Sequence, residues 1–287
     1  MQVSALANLI RLGYGTLDAL ELTKNWVSHQ NTYSINAIIN RQGLAAEIAD
    51  IPSPVDGRIF LSAHFGCFPA AILAIGRKSS CRKVCVLVGR EQERLVSPLT
   101  ALAAAQGISV TVIFAGLSGI KQTKRSLASG YPLFVAPDVP WSKDGAITNA
   151  SEHRLLNGKI TANSGLFRLV ANLEFDSVDI FSWVEGSSVQ FLCSTHTDEA
   201  GYFSKLESSI VRQPWQYERL FQLQNYFSPD HATHIAIVWR VGINDYVLNT
   251  TDMRVFDVRG QLDTNDQACL TYVRTHMFPQ SVDVVRL

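Results

Sequence analysis

The residues best placed to do chemistry in this 287-residue chain lie in RIFLSAHFGCFP (58–69), an apolar run that ends in a small residue, a histidine and a glycine. His64 therefore falls where strand becomes loop, held by a rigid element yet open to a cleft. An imidazole base needs that placement, because its ring titrates near neutrality and can take a proton from a hydroxyl or an amine. Histidine is also found packed and satisfied in cores, so His64 alone leaves both readings open. Downstream, YPLFVAPDVPWSKDGAIT (131–148) repeats the pattern with an apolar run broken by a proline-rich loop that carries Asp138. Cys67, three residues after His64, could form a Cys-His nucleophilic pair suited to a thioester, or be an inert buried thiol.

The elements around these residues alternate. RKVCVLVG (82–89) reads as a strand, SPLTALAAAQG (97–107) as a helix closed by Gly107, ISVTVIF (108–114) as a strand, and GIKQTKRSLASG (119–130) as a helix closed by Gly130 before PLFVAP. KITANSGLFRLVANLEFDSVDIFSW (159–183) reads as a small-residue loop, a short helix and another strand. Such alternation predicts an α/β fold with a mainly parallel central sheet covered by helices. Ligands on such sheets bind beyond the carboxyl ends of the strands, and His64, Arg90 and Asp138 each follow a strand at that edge.

HFG at 64–66, the Pro-Asp loop with Gly145 after Asp138, TANSG at 161–165 and the later Trp183, in that order, resemble the bacterial late acyltransferases of lipid A biosynthesis and the wider lysophospholipid acyltransferase superfamily. No single motif is specific; order and spacing carry the likeness. It extends over about residues 30–225, since PWQYERLFQL (214–223) is similar to the proline-and-aromatic helix near the end of that family's domain. The resemblance implies an acyltransferase-like fold and transfer of an acyl group from an acyl carrier protein or coenzyme A thioester to a hydroxyl or amine, with His64 as general base. Ser164 and Gly165 would then offer backbone N–H groups to an oxyanion at a helix amino end, as would donors near Gly66, while a plain N-cap explains the serine equally well. Arg90 stands where the family often has an arginine associated with donor or acceptor phosphate; the plain reading is a solvated arginine among Glu91, Glu93 and Arg94.

One departure matters. The family's acid lies five positions after the histidine, and here that residue is Pro69. The acid normally fixes the histidine tautomer and stabilises the charged ring. Three explanations stay open: another carboxylate substitutes, with Asp138 the first candidate; the acceptor is an easier nucleophile; or the chain binds an acyl chain or carrier protein without catalysing.

Composition narrows the field. Hydrophobic residues at 47% against 17% charged describe a globular chain, and 25 basic against 25 acidic residues leave no net field to attract nucleic acid. Five cysteines, with no ligand set around the close pair Cys81 and Cys85, suit reduced thiols in a cytoplasmic protein without a metal site. No metal or redox cofactor is implied. The first 27 residues never reach the roughly 18 to 20 uninterrupted apolar residues a membrane span needs, because Arg11, Asp18, Glu21 and Lys24 interrupt them. They read as amphipathic helices with Leu6, Leu9, Ile10, Leu17 and Leu20 on the apolar side, packed on the domain or touching the inner face of a membrane peripherally. Beyond Tyr226 the resemblance fades. Strand-like runs, a helix in DTNDQACLTYVRTHM (263–277) and a last strand in SVDVVRL predict a domain at 1–226 and a small α+β extension at 227–287.

Overall fold

The alternating runs build one seven-stranded sheet, and the strand order sets which residues meet at its edge. The computed structural model describes residues 2–34, 37–38, 47–89, 93–138, 150–231, 235–241, 244–250, 255–257, 272–275 and 282–286. Two helices come first, α1 (Gln2–Arg11) and α2 (Thr16–Tyr33), followed by the two-residue strand β1 (Glu47–Ile48). Then β2 (Ile59–Leu61), α3 (Phe68–Lys78), β3 (Lys83–Val88), α4 (Glu93–Ala104), β4 (Ser109–Phe114), α5 (Leu117–Ala128) and β5 (Leu133–Val135) alternate strictly. After β6 (Ala150–Leu155) and β7 (Gly158–Asn163) come α6 (Ser164–Leu173), the antiparallel pair β8 (Ser177–Glu185) and β9 (Ser188–Thr195), and α7 (Glu199–Arg212).

The sheet runs β1-β9-β8-β2-β5-β3-β4. All its pairings except β8 with β9 are parallel, as crossover helices between strands require. The central strands β2 and β5 are fully buried, which is why they read as continuous apolar runs without alternation. On one face Ile72, Ile75 and Leu102 from α3 and α4 pack with Phe60, Val84 and Phe134 of the strands. An aromatic cluster from α6 and α7 lies by β8: Tyr202 stands 5.3 Å from Phe167 and 5.4 Å from Phe181.

Several expectations change. KITAN is strand, not loop: β7 runs into α6 without a break, so Thr161 is a strand residue and the helix starts at Ser164. Helix α4 begins at Glu93, four residues before the expected start, with Pro98 inside it. Of the amino-terminal residues expected to be apolar and covered, Leu6, Leu9, Ile10 and Leu20 are buried, but Leu17 is 69% exposed. PWQYERLFQL forms two 3₁₀ segments, Pro214–Gln216 and Glu218–Asn225, the first starting at a proline whose missing N–H costs nothing there. Among the described residues no helix is long and apolar enough to cross a membrane.

The chain divides into two compact units. One unit holds Ser28–His153 and Thr161–Glu218; the other holds Met1–Val27, Arg154–Ile160 and Arg219–Leu287. In the second, Asn8 Nδ2 donates to Leu220 O at 2.6 Å and the Arg11 guanidinium to Phe227 O at 3.1 Å, long-range ties that sequence order does not show. Strand β10 (Phe227–Pro229) pairs antiparallel with residues 158–160 of β7. Next come β11 (Ile235–Val241), β12 (Asn244–Asn249), β13 (Val255–Asp257), β14 (Tyr272–Thr275) and β15 (Val282–Arg286), an antiparallel sheet in the order β13-β12-β11-β15-β14. The last strand is where SVDVVRL predicts it. The helix expected over 263–277 is corrected: its first part lies outside the described residues, and Tyr-Val-Arg-Thr is strand, paired Tyr272 to Val285 and Val273 to Val284. β-Branched and aromatic residues fit a pleated surface, and pairing with β15 satisfies their main chain. Among the described residues, 227–287 contributes strands alone.

A buried charge cluster ties β8 and β9 to α7. Asp179 is fully buried, and its carboxylate accepts from His196 Nδ1 at 2.7 Å and from Lys205 Nζ at 2.6 Å. Lys205 also donates to Thr195 O at 3.2 Å. Removing one partner of such a group is costly because it leaves a buried charge undercompensated. Lys205→Met is therefore expected to destabilise by about 3–5 kcal/mol, and adding Asp179→Asn to restore part of that loss. Urea unfolding of parent, single and double variants checks this; equal midpoints for parent and Lys205→Met would contradict it.

Candidate active site

Strands β2 and β5 are direct parallel neighbours, with Leu61 opposite Val135 at their last rung. His64 lies three residues past Leu61, and Asp138 three residues past Val135. Equal overhangs from a matched register bring the two side by side: His64 Nδ1 is 2.8 Å from Asp138 Oδ1, and His64 N donates to Asp138 Oδ2 at 3.0 Å. A carboxylate only accepts, so Nδ1 is the donor, and in the neutral ring the lone pair is on Nε2. The side chains are 7% and 0% exposed, so little water competes for this bond. The His64 ring meets the Phe68 ring edge-on, with centroids 4.9 Å apart.

No protein-family model and no curated protein matches the sequence. The site is therefore read from its own geometry.

The loop after His64 is held by its own main chain. Gly66 has φ +62, and a Cβ there would stand 2.0 Å from Ser182 O, so only glycine fits. Its N–H donates to Gln216 O at 2.9 Å and its carbonyl lies 2.9 Å from His29 Nε2. The Gly66 amide thus has a main-chain acceptor. Ser182 Oγ donates to Phe65 O at 2.9 Å, and Glu218 N to His64 O at 2.8 Å.

The other expected residues fall as follows. Cys67 is fully buried at the start of α3, and burial pushes its thiol up to about 12, so it is no thiolate nucleophile at neutral pH. Pro69 occupies the first turn of α3, where a missing N–H is harmless. Ser164 is buried at the start of α6, followed by Gly165. Arg90 and Gly145 lie outside the described residues. His153 is half-buried: it stacks on Phe203 with centroids 4.4 Å apart, and its Nε2 is 2.8 Å from Glu199 Oε1. Ser151 Oγ is 3.0 Å from the same Nε2 and bonds Glu199 as well. A nucleophilic triad needs acid and hydroxyl on opposite ring nitrogens; here both converge on one, so this cluster is not such a triad.

Sequence reasoning missed His29, Asp179, His196 and Tyr202. A detectable signal existed for Asp179, a charge within the apolar run of β8. Burial first, and then the charges of Asp138 and Asp179, push the Tyr202 phenol well above its ordinary range, so it stays a neutral donor to Ser62 O at 2.5 Å. Among the described residues no group of three or more His, Cys, Asp or Glu side chains could hold a metal ion.

Burial holds His29 down to about 4, against a smaller opposing effect of its bond to Gly66. Its folded pKa is thus below its unfolded value near 6.5, so the unfolded chain binds the extra proton between pH 6.5 and 4. Stability from this group is complete above 6.5 and lost as pH falls toward 4. The parent is expected to lose about 2 kcal/mol from this source between pH 7 and pH 5, and His29→Gln to lose that much less over the same interval, measured by urea unfolding at both pH values. Alkylation at pH 8 followed by mass mapping should label exposed Cys81 and spare Cys67 in the native protein; rapid labelling of Cys67 would overturn the inert reading.

Proposed function

We propose that this protein transfers an acyl group from an acyl carrier protein or coenzyme A thioester to a hydroxyl or amine acceptor, on an acyltransferase-like fold, with His64 as general base. The observation that carries the reading is Asp138 Oδ1 at 2.8 Å from His64 Nδ1. The family resembled by HFG, Pro-Asp and TANSG needs an acid on its histidine, and Asp138 supplies one where Pro69 does not.

The chemistry balances without a cofactor. His64 Nε2 takes the proton from the acceptor as its oxygen or nitrogen attacks the thioester carbonyl. Collapse of the tetrahedral intermediate forms the ester or amide, breaks the carbon–sulfur bond, and returns the proton from His64 to the departing sulfur. Asp138 fixes the ring by its two oxygens, one on Nδ1 and one on the His64 main-chain N–H, and stabilises the imidazolium while it exists. Arg90 remains the proposed phosphate contact, and Ser164 with Gly165 the proposed donors at the amino end of α6.

His64→Ala is expected to lower acyl transfer by about 10²–10⁴-fold, and Asp138→Asn, which keeps the shape but not the charge, by a similar factor. The assay follows thiol release from acyl thioesters of carrier protein and coenzyme A with hydroxyl and amine acceptors. A His64→Ala variant that turns over like the parent sinks the mechanism. A parent that binds acyl thioester without turnover, matched in affinity by His64→Ala, would indicate a binding protein instead.

A further inference from the structure

We infer that Gln216 is a positioning residue for His64, a conclusion that rests on the acyl-transfer reading of that histidine. Strand β2 ends at Leu61, opposite Asp179 of β8, but β8 continues to Glu185 with β9 along its other side. Past Asp179 the side of β8 that faced β2 has lost its strand neighbour. At Val184 the Gln216 carboxamide stands in for one. Val184 N donates to Gln216 Oε1 at 2.8 Å, and Gln216 Nε2 donates to Val184 O at 2.8 Å. The second amide hydrogen goes to Gln213 Oε1, so the orientation of the group is determined. Gln216 is 2% exposed.

Its main chain faces the other way. Gln216 O accepts from Gly66 N, the next residue but one, Glu218, donates its N–H to His64 O, and Phe65 and Tyr217 form an antiparallel bridge. One residue therefore joins the sheet through its side chain to the His64 loop through its backbone. Asp138 holds the ring from one strand; Gln216 holds the loop that carries the ring from another. Only a group offering a donor and an acceptor together can pair with both Val184 atoms. Leucine offers neither, and ionised glutamate turns its oxygens on the Val184 carbonyl. Protonated glutamate restores both.

This pattern defines the test. Q216L is expected to lower kcat about 100-fold with KM within about twofold, because a misplacement of about 1 Å in a catalytic group costs that much. Q216E should resemble Q216L at pH 8 and recover toward the parent, as a ratio at each pH, when the pH drops toward 5. The His64 Nδ1–H proton resonance in ¹⁵N-histidine-labelled protein, assigned by its loss in His64→Gln, should shift in Q216L and in Q216E at pH 8. That signal needs no substrate, so a parent without acyl transfer defeats the functional reading and still leaves the positioning claim tested. If Q216L does not fold, Q216E decides. A folded variant with the parent's kcat and His64 resonance at pH 8 overturns the inference.

Discussion

Everything at the candidate site depends on one rung of a parallel sheet, Leu61 opposite Val135. Side chains change face with every residue along a strand, so a slip of one position would move Asp138 by a full residue spacing and turn its carboxylate away from His64. Both strands are buried, and in this register Phe60 and Phe134 lie side by side in the same core. The apolar interior thus does the geometric work for two polar groups that belong to neither strand.

Charge is concentrated in the least hydrated part of the molecule. Asp138 and Asp179 are both fully buried, and each engages a histidine Nδ1 together with a second donor: a main-chain N–H for Asp138, an ammonium for Asp179. The difference has a physical meaning. An ammonium brings a full positive charge to its carboxylate, whereas a main-chain amide brings only a dipole. Similar His-Asp contacts therefore have different electrostatic characters. The neutral Tyr202 phenol, influenced by both carboxylates, contributes a hydrogen bond and no charge.

Much of this was legible in the residues. The alternation of strands and helices and the placement of His64 and Asp138 at the same edge follow from local runs and from the loops that end them. Contacts between distant segments were not legible. The family resemblance implies a helix at PWQY, yet Gln216 is tied by bonds to Val184 and Gly66, and nothing local in Pro214–Tyr217 encodes that. Tyr-Val-Arg-Thr was drawn into a helix by the polar residues before it, while its pairing with β15 decides its state. The polar neighbours Glu152 and Arg154 give no sign that His153 is covered; its stacking on Phe203 depends on a helix fifty residues away in the chain.

Hydrogen-bonded side chains that share a helix turn can meet as soon as that turn forms. Here they are 74 positions apart, and the strand carrying the acid enters the sheet between two strands that precede it in the chain. A nascent polypeptide that ends before Leu133 has the imidazole and lacks both the carboxylate and the strand that would present it. The His64–Asp138 contact therefore requires β5 in place beside β2, and a chain without that strand carries the histidine without its carboxylate partner.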